Sequence, residues 1–402
     1  MTRSPPEQVV TPGGERPAAR GRIVRALAFG AVALTILLIT VGGLVTNTDS
    51  GLACPDWPTC FGTALPEMVG GVLMEHGHRY IATAVGFFCV LLVIGTHWKR
   101  RESMIGSLAI SMPLILIGGF WAGYAKHYEG AVPALAAVLV LLGYITGLFF
   151  IFRARGASRH AEAALLLVIT QGLLGGATVM YQLPVTILIL HLATSMLFLG
   201  VLTALAARLS PIRFAVPLEG TRKTSMLPLA LGLVYGQILL GASVRHTGAG
   251  LVCTGWLCRG ALWPLQAHPA VHLHETHRYF AQIAGGLAAH AGLTGRKNAL
   301  RVGDRVSAAL GAGLPLLVLT QLALGIATIW TLKDIWAVTA HLFVAALILA
   351  SLTWMWARDV QARELAEGKS LAEGKSQTIS AQRSQTISDD RSQTISPAPE
   401  RA

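Results

Sequence analysis

The sequence predicts an all-α polytopic membrane protein: two pseudo-symmetric four-helix transmembrane units plus an inserted helical hairpin, about ten transmembrane helices in all. Three observations predict it. Of 402 residues, 53% are hydrophobic and only 13% charged, about half the charge of an ordinary soluble domain. The charges cluster, leaving apolar blocks of about 20 residues, the length that crosses a hydrocarbon core of ~30 Å. Motifs of the first half also recur in the second at constant offsets.

The apolar blocks place spans at 26–46, 76–98, 104–124, 132–152, 162–182, 186–207, 226–244, 273–295, 308–330 and 334–356. Arg16, Arg20, Arg22 and Arg25 precede the first, and Lys99, Arg100 and Arg101 follow the second. Arg153, Arg155 and Arg159 follow the fourth; Arg208, Arg213, Arg222 and Lys223 follow the sixth. Arg296, Lys297, Arg301 and Arg305 follow the eighth, and Arg358 and Arg363 the tenth. The alternate loops are poor in Lys and Arg, with Arg245 and Arg259 the main exceptions. Such alternation requires an even number of spans and puts both termini in the cytoplasm, in a multi-pass plasma-membrane protein surrounded by lipid. It also explains the net charge of +12 without nucleic acid.

The first block lacks an obvious small-residue cleavage site and reads as a retained anchor behind a cytoplasmic segment, 1–25. The N-terminal unit then covers 26–208 and the C-terminal unit 226–357. Residues 364–402 repeat Leu-Ala-Glu-Gly-Lys-Ser and Ser-Gln-Thr-Ile-Ser. Polar low-complexity sequence of this kind cannot bury a core and predicts a disordered cytoplasmic tail.

The repeat is specific. Val45, Thr48, Gly51, Leu52, Cys54 and Trp57 match Val244, Thr247, Gly250, Leu251, Cys253 and Trp256 at an offset of 199, which persists at His78-Arg79-Tyr80 and His277-Arg278-Tyr279. Gln171, Gly175, Ala177, Thr178 and His191 match Gln321, Gly325, Ala327, Thr328 and His341 at an offset of 150. Subtracting 150 from 199 leaves 49 residues inserted in the first half, which spans three and four (104–152) fill as a hairpin.

Four histidines thus recur in pairs, His78 with His191 and His277 with His341, near the starts of the second and fourth helices of each unit. Ionisable groups in a bilayer are costly and mark function. Two opposed imidazoles in a four-helix bundle can ligate a haem iron from both sides. Zinc fits less well, because neither pair has a constant Cys or carboxylate companion. His97, His127 and His160 fall at helix ends or in loops, and His246, His268 and His272 on the outer side. His290 has no counterpart, and His76 faces away from His78. His274 shares a face with His277, which leaves that ligand ambiguous.

Glu75 lies three residues before His78 on the same helical face. It reads either as a proton acceptor beside the cofactor or as a first-turn acid complementing the helix dipole. At the offset of 199 His274 replaces it and Glu275 is shifted by one, so only the first half keeps Glu-x-x-His. That makes the first unit the candidate for chemistry. Cys54 and Cys60, and Cys253 and Cys258, lie in equivalent outer loops, where each pair can form a disulfide or act as a redox couple. Cys89 reads as core packing. Arg79 and Arg278 can pair with haem propionates or snorkel to the interface.

With these residues in view, the sequence resembles the haem A synthase family. The run Gly51-Leu-Ala-Cys-Pro-Asp-Trp-Pro-Thr-Cys60, the segment Glu75-His-Gly-His-Arg79, residues 171–191 and their second-half copies carry the resemblance. It implies an oxidoreductase converting the C8 methyl of haem O to a formyl group through hydroxylated intermediates, yielding haem A for terminal oxidases. His78 and His191 would hold the haem O substrate, His277 and His341 a haem b cofactor, and Glu75 would be the catalytic acid. Cys54 and Cys60 would support activity, and Cys253 and Cys258 structure. A haem O synthase (protohaem farnesyltransferase) must supply substrate; contact with it, with oxidase assembly factors or with further copies of the chain is also open. The inserted hairpin and the extended tail depart from the family pattern of eight spans. A diheme b-type cytochrome that only carries electrons is the alternative, while a two-fold transporter explains the duplication but not the histidines.

Overall fold

The computed structural model describes residues 19–97, 104–124, 131–211, 225–255, 258 and 267–393. Arg16, Lys99, Arg100, Arg101, His127, Arg213, Arg222, Lys223, Trp256 and Arg259 lie outside them. Ten helices follow in order: α1 Ala19–Asn47, α2 Gly70–His97, α3 Met112–Tyr124 (entered through a π-turn, Gly106–Ser111), α4 Ala131–Arg153, α5 Ala157–Met180, α6 Val185–Arg208, α7 Leu227–His246, α8 Pro269–Arg301, α9 Arg305–Trp330 and α10 Ile335–Gln393.

Eight of them are long and apolar enough to cross a membrane. The two exceptions among the ten expected spans have physical reasons. The thirteen residues of α3 are too few, and α8 carries His272, His274, Glu275, His277, Arg278 and His290, which dilute its hydropathy. It nevertheless packs along its length between α7 and α9.

In the first unit α1 packs on α2, α2 on α5, α5 on α6, and α6 back on α1. In the second, α7, α8, α9 and α10 close the same ring. The histidine helices α2 and α6 are therefore diagonal, as are α8 and α10, so each pair faces across a bundle centre. The units meet through α6 on α10, α1 on α10 and α6 on α7. Exchanging the halves maps these contacts onto one another, as an isologous interface requires. Ile39, Met196 and Leu199 bury against Val344, Ile348, Leu349 and Leu352 in this seam.

The turns before the second histidine of each pair are copies. Gln182 and Leu183 (φ 60° and 59°) follow α5, and Leu332 and Lys333 (φ 55° and 69°) follow α9. Leu183 N donates to Thr178 O at 2.7 Å, and Lys333 N to Thr328 O at 2.8 Å. Left-handed backbone costs an ordinary L-residue about 1–2 kcal/mol. Both units accept this cost twice, and the turn sets the height at which His191 and His341 enter their bundles.

The inserted hairpin packs outside the first ring, on α5. Gly118 and Gly143 let α3 and α4 touch backbone to backbone, since a Cβ at either would lie 2.8 or 2.9 Å from main-chain nitrogens of the other helix. Tyr144 Oη bonds Thr170 Oγ1 at 2.8 Å, and at its foot buried His97 and Glu162 pair at 3.1 Å.

α10 continues helically to Gln393, although composition predicts disorder from 364 onward. Once the last span has nucleated a helix, Leu, Ala, Glu, Lys and Gln extend it at little cost.

At the end opposite the cysteine loops, Arg358 ties the seam together. Its Nε donates to Asp304 Oδ2 at 2.7 Å, and its terminal nitrogens to the carbonyls of Ser210 (2.6 Å) and Pro211 (3.1 Å). Burial pushes the Asp304 carboxyl up, but the Arg358 bond and charge and Ser307 outweigh this and hold it below its ordinary value. Breaking a buried pair from one side costs about 3–5 kcal/mol. Arg358→Met should therefore lower the Tm in detergent by several degrees, and Arg358→Met/Asp304→Leu should recover part of the loss. An equal or greater loss in the double variant would refute the pairing.

Candidate functional site

Each of the four histidines packs against a glycine of the adjacent helix. A Cβ on Gly42 of α1 would sit 3.0 Å from His78 Cε1, and one on Gly241 of α7 2.9 Å from His277 Cε1. The corresponding distances are 3.6 Å for Gly175 of α5 and His191, and 3.3 Å for Gly325 of α9 and His341. The helices without ligands thus remove their side chains where the imidazoles stand. His78 and His191 are close enough to interact electrostatically, as are His277 and His341.

The donor set fits a haem: two imidazoles per unit from diagonal helices, in cradles that a methyl on Gly42, Gly241 or Gly325 would crowd. It does not fit a thiolate metal centre. The cysteines that lie near His76 and near Glu275 are joined as Cys54–Cys60 and Cys253–Cys258 disulfides, with Cα separations of 4.8 and 5.2 Å. Cys89 is free and buried in the core, as its mid-helix position predicts.

Gln237 and Leu38 occupy equivalent places on α7 and α1, one turn before the glycines. Gln237 Nε2 lies 3.0 Å from His277 Nδ1 and 3.0 Å from His277 O. This contact and Gly241 both single out His277, not His274, as the residue packed between α7 and α8. His341 Nδ1 bonds the Gln321 carbonyl at 3.1 Å, and its Nε2 lies 3.2 Å from Gln321 Nε2. Gln171 is turned elsewhere. In the orientation that satisfies both ends of its amide, it donates to His191 O (3.1 Å) and accepts from Thr194 Oγ1 and from Ser195 N (3.2 Å).

Glu75 is 4% exposed. Its Oε2 accepts from Cys54 N at 2.8 Å, and its Oε1 from Arg79 at 2.6 Å. Arg79 also donates to the carbonyls of Asp56 (2.9 Å) and Thr59 (2.6 Å). Helix, carboxylate, guanidinium and cysteine loop therefore form one unit. The second half repeats it with the order reversed, since Glu75-His76 becomes His274-Glu275. Glu275, 1% exposed, accepts from Arg278 at 2.8 Å, and Arg278 donates to Gly255 O at 3.2 Å. The halves differ less in their acids than Glu-x-x-His predicts: each has a buried glutamate bonded to the arginine that follows its ligand. Of the two glutamates, only Glu75 accepts from the cysteine-loop backbone among the described residues. Trp57 of that loop lies on α5 at Gly176, where a Cβ would come within 2.7 Å of its ring.

Three other histidines bond elsewhere. His160 bonds the Gly156 carbonyl (3.1 Å), His76 the Ala64 carbonyl (3.1 Å), and His268 caps α8 by accepting from Ala270 N (3.2 Å).

Sequence reasoning missed Gly42, Gly241 and the exchange of Leu38 for Gln237. The offset of 199 contains all of them, but an apolar helix gives no reason to single out one glycine until its neighbour is known.

Comparison with known proteins decides the family. A profile described as cytochrome oxidase assembly protein, COX15-CtaA, matches residues 25–70 and 119–353. The chain belongs to this family. A heme A synthase of Methylobacterium radiotolerans is 30% identical over 363 residues, covering 83% of this chain and 89% of its own. Those of Symbiobacterium thermophilum (28%, covering 65% and 72%) and Methylorubrum extorquens (27%, covering 87% and 91%) are similar too. The two profile blocks leave out 71–118, in which Glu75, His78 and the start of the hairpin lie; the internal repeat and the ring geometry are what align α2 with α8.

Two outcomes are expected of this COX15-CtaA site. Gly241→Ala and Gly42→Ala should each displace an imidazole and cut haem retention in purified protein. Gly325→Ala should do so less, and Gly175→Ala, whose added methyl would sit at ordinary contact distance, should leave retention unchanged; haem content measured as the pyridine adduct checks the order. In the cysteine loop, burial pushes the Asp56 carboxyl up, but bonds from Thr59, Gly62 and Phe61 outweigh this and hold it below its usual range. A depressed carboxylate stabilises above its unfolded value of about 3.9 and ceases to as pH falls through its folded one. Hydrogen-exchange protection of the Phe61 and Gly62 amides should therefore drop below about pH 4, and Asp56→Asn should remove that step.

Proposed function

We propose that the chain is a haem A synthase, oxidising the C8 methyl of haem O to a formyl group. The observation that carries this reading is the duplicated cradle of diagonal histidines against glycines, combined with a buried acid, Glu75, tied to the backbone of its cysteine loop. The similarity to heme A synthases supports the same chemistry.

In this reading His78 and His191 hold the haem O substrate, and His277 and His341 hold haem b. Haem b supplies a one-electron relay when bound. Oxidising a methyl to an aldehyde removes electrons and protons and adds an oxygen atom, so a proton acceptor is needed near the reacting edge. Glu75, one helical turn from His78 towards the loop, is the group to take protons. Its bonds to Arg79 and Cys54 N fix its orientation, and Trp57 over Gly176 excludes water from that side. Arg79 and Arg278 brace their loops and offer positive charge to propionates. The disulfide Cys54–Cys60 supports activity by keeping the Cys54 amide on Glu75, and Cys253–Cys258 holds the matching loop. The loops face outward and both termini face the cytoplasm. A protohaem farnesyltransferase supplies the substrate.

The test is to express the full chain in a bacterium that makes haem O but no haem A, and to identify the porphyrins by mass. Haem A or its hydroxylated precursor should appear, and Glu75→Gln should lower its yield about 100-fold or more while haem b remains bound. Two stoichiometric haem b groups with no conversion of haem O would instead indicate an electron-carrying cytochrome and end the proposal.

A further inference from the structure

The two units share their ligands but not what stands behind them. We propose that Gln237 is a positioning residue that makes the second unit the one that retains its haem, and that Leu38 at the equivalent place leaves the first unit free to exchange. The inference rests on the haem A synthase reading and goes beyond it, because that reading does not say why one site should keep its haem and the other release it.

An imidazole binding iron through Nε2 carries its proton on Nδ1, and a hydrogen bond at Nδ1 fixes ring orientation and strengthens the ligand. The second unit provides one on each side. His341 Nδ1 bonds the Gln321 carbonyl at 3.1 Å. His277 Nδ1 lies 3.0 Å from the Gln237 amide, whose Oε1 is buried and has no partner. Turning that amide over puts the unpartnered oxygen at His277 Nδ1, as the ligating tautomer requires, in exchange for the Nε2 bond to His277 O. In the first unit the same place holds Leu38, whose contribution to His78 is confined to its main-chain carbonyl. His78 Nδ1 is buried without a hydrogen bond of ordinary geometry. Gln171, the counterpart of Gln321, spends its amide on Thr194 Oγ1, Ser195 N and His191 O; of these the Thr194 hydroxyl has no counterpart in the second unit, where Val344 stands. The first unit is thus the one in which the His78 ring lacks a side-chain hydrogen bond, as suits a substrate that must leave once oxidised.

The test isolates each site in the full-length protein. In a His78→Ala/His191→Ala background the bound haem b belongs to the second unit, and its transfer to excess apomyoglobin is followed by absorbance. Gln237→Leu should speed transfer about five- to tenfold, the effect of one net hydrogen bond, and shift the low-spin ferric EPR signal. Gln237→Glu, which keeps an acceptor at Nδ1, should restore slow transfer, separating ligand positioning from a packing defect. In a His277→Ala/His341→Ala background, Leu38→Gln should slow release from the first unit. Transfer and EPR unchanged in Gln237→Leu would overturn the inference and leave the haem A synthase reading intact. A His78→Ala/His191→Ala protein that folds but binds no haem would overturn both.

Discussion

A ring of four helices has one centre, and only helices that are not neighbours around the ring can face one another across it. That constraint governs this molecule. The ligands must come from α2 and α6 in one unit and from α8 and α10 in the other, and the remaining diagonal must give way. Imidazoles are wide relative to the spacing of packed helices, which is ~8–10 Å between axes. Room for them comes from α1, α5, α7 and α9, each of which presents a glycine to the ring beside it. The turns with two left-handed residues follow from the same demand, because His191 and His341 must arrive at a set height.

Polar interactions then divide between the ends of the bundle. At one end the cysteine loops are fixed by Glu75 with Arg79 and by Glu275 with Arg278, and Asn47 links α1 to Thr339 and Arg245 across the seam. At the other, Arg358 and Asp304 hold α6, α9 and α10 together. Between them the seam is apolar except where the Tyr235 hydroxyl donates to Ala193 O at 3.1 Å. In a bilayer burying a hydrocarbon side chain against another gains little over lipid, so packing fit and a few desolvated hydrogen bonds specify how the units dock.

Much of this was legible in the sequence, for identifiable reasons. Span positions follow from hydropathy, and the histidine pairs follow from two constant offsets, which also exposed the hairpin as an insertion. The spans that hydropathy alone would miss are informative: α8 is polar because it carries the second unit's ligand, glutamate and arginine on one helix. The role of Arg79 was only partly readable. Its position next to His78 suggests a propionate partner, whereas most of its donors go to carbonyls of the cysteine loop, whose path no sequence pattern discloses. Glu275 looked displaced by one residue, yet a helix tolerates that shift when the arginine lies three rather than four residues away. The Gln237–Leu38 difference was invisible because neither residue type is unusual in a span.

The hairpin outside α5 has a consequence for how the two halves can vary. α5 and α9 share Gln-x-x-x-Gly-x-Ala-Thr and the same place in their rings, but α5 is flanked by α3 and α4 while α9 has no such cover among the described residues. One helix is therefore solvated by protein on its outer side, and the other largely by lipid. A bulky apolar substitution on the outward face of α9 meets fluid chains that rearrange around it. The same change on α5 meets the close-packed glycine seam of the hairpin, so equivalent positions of one repeat answer to two different solvents.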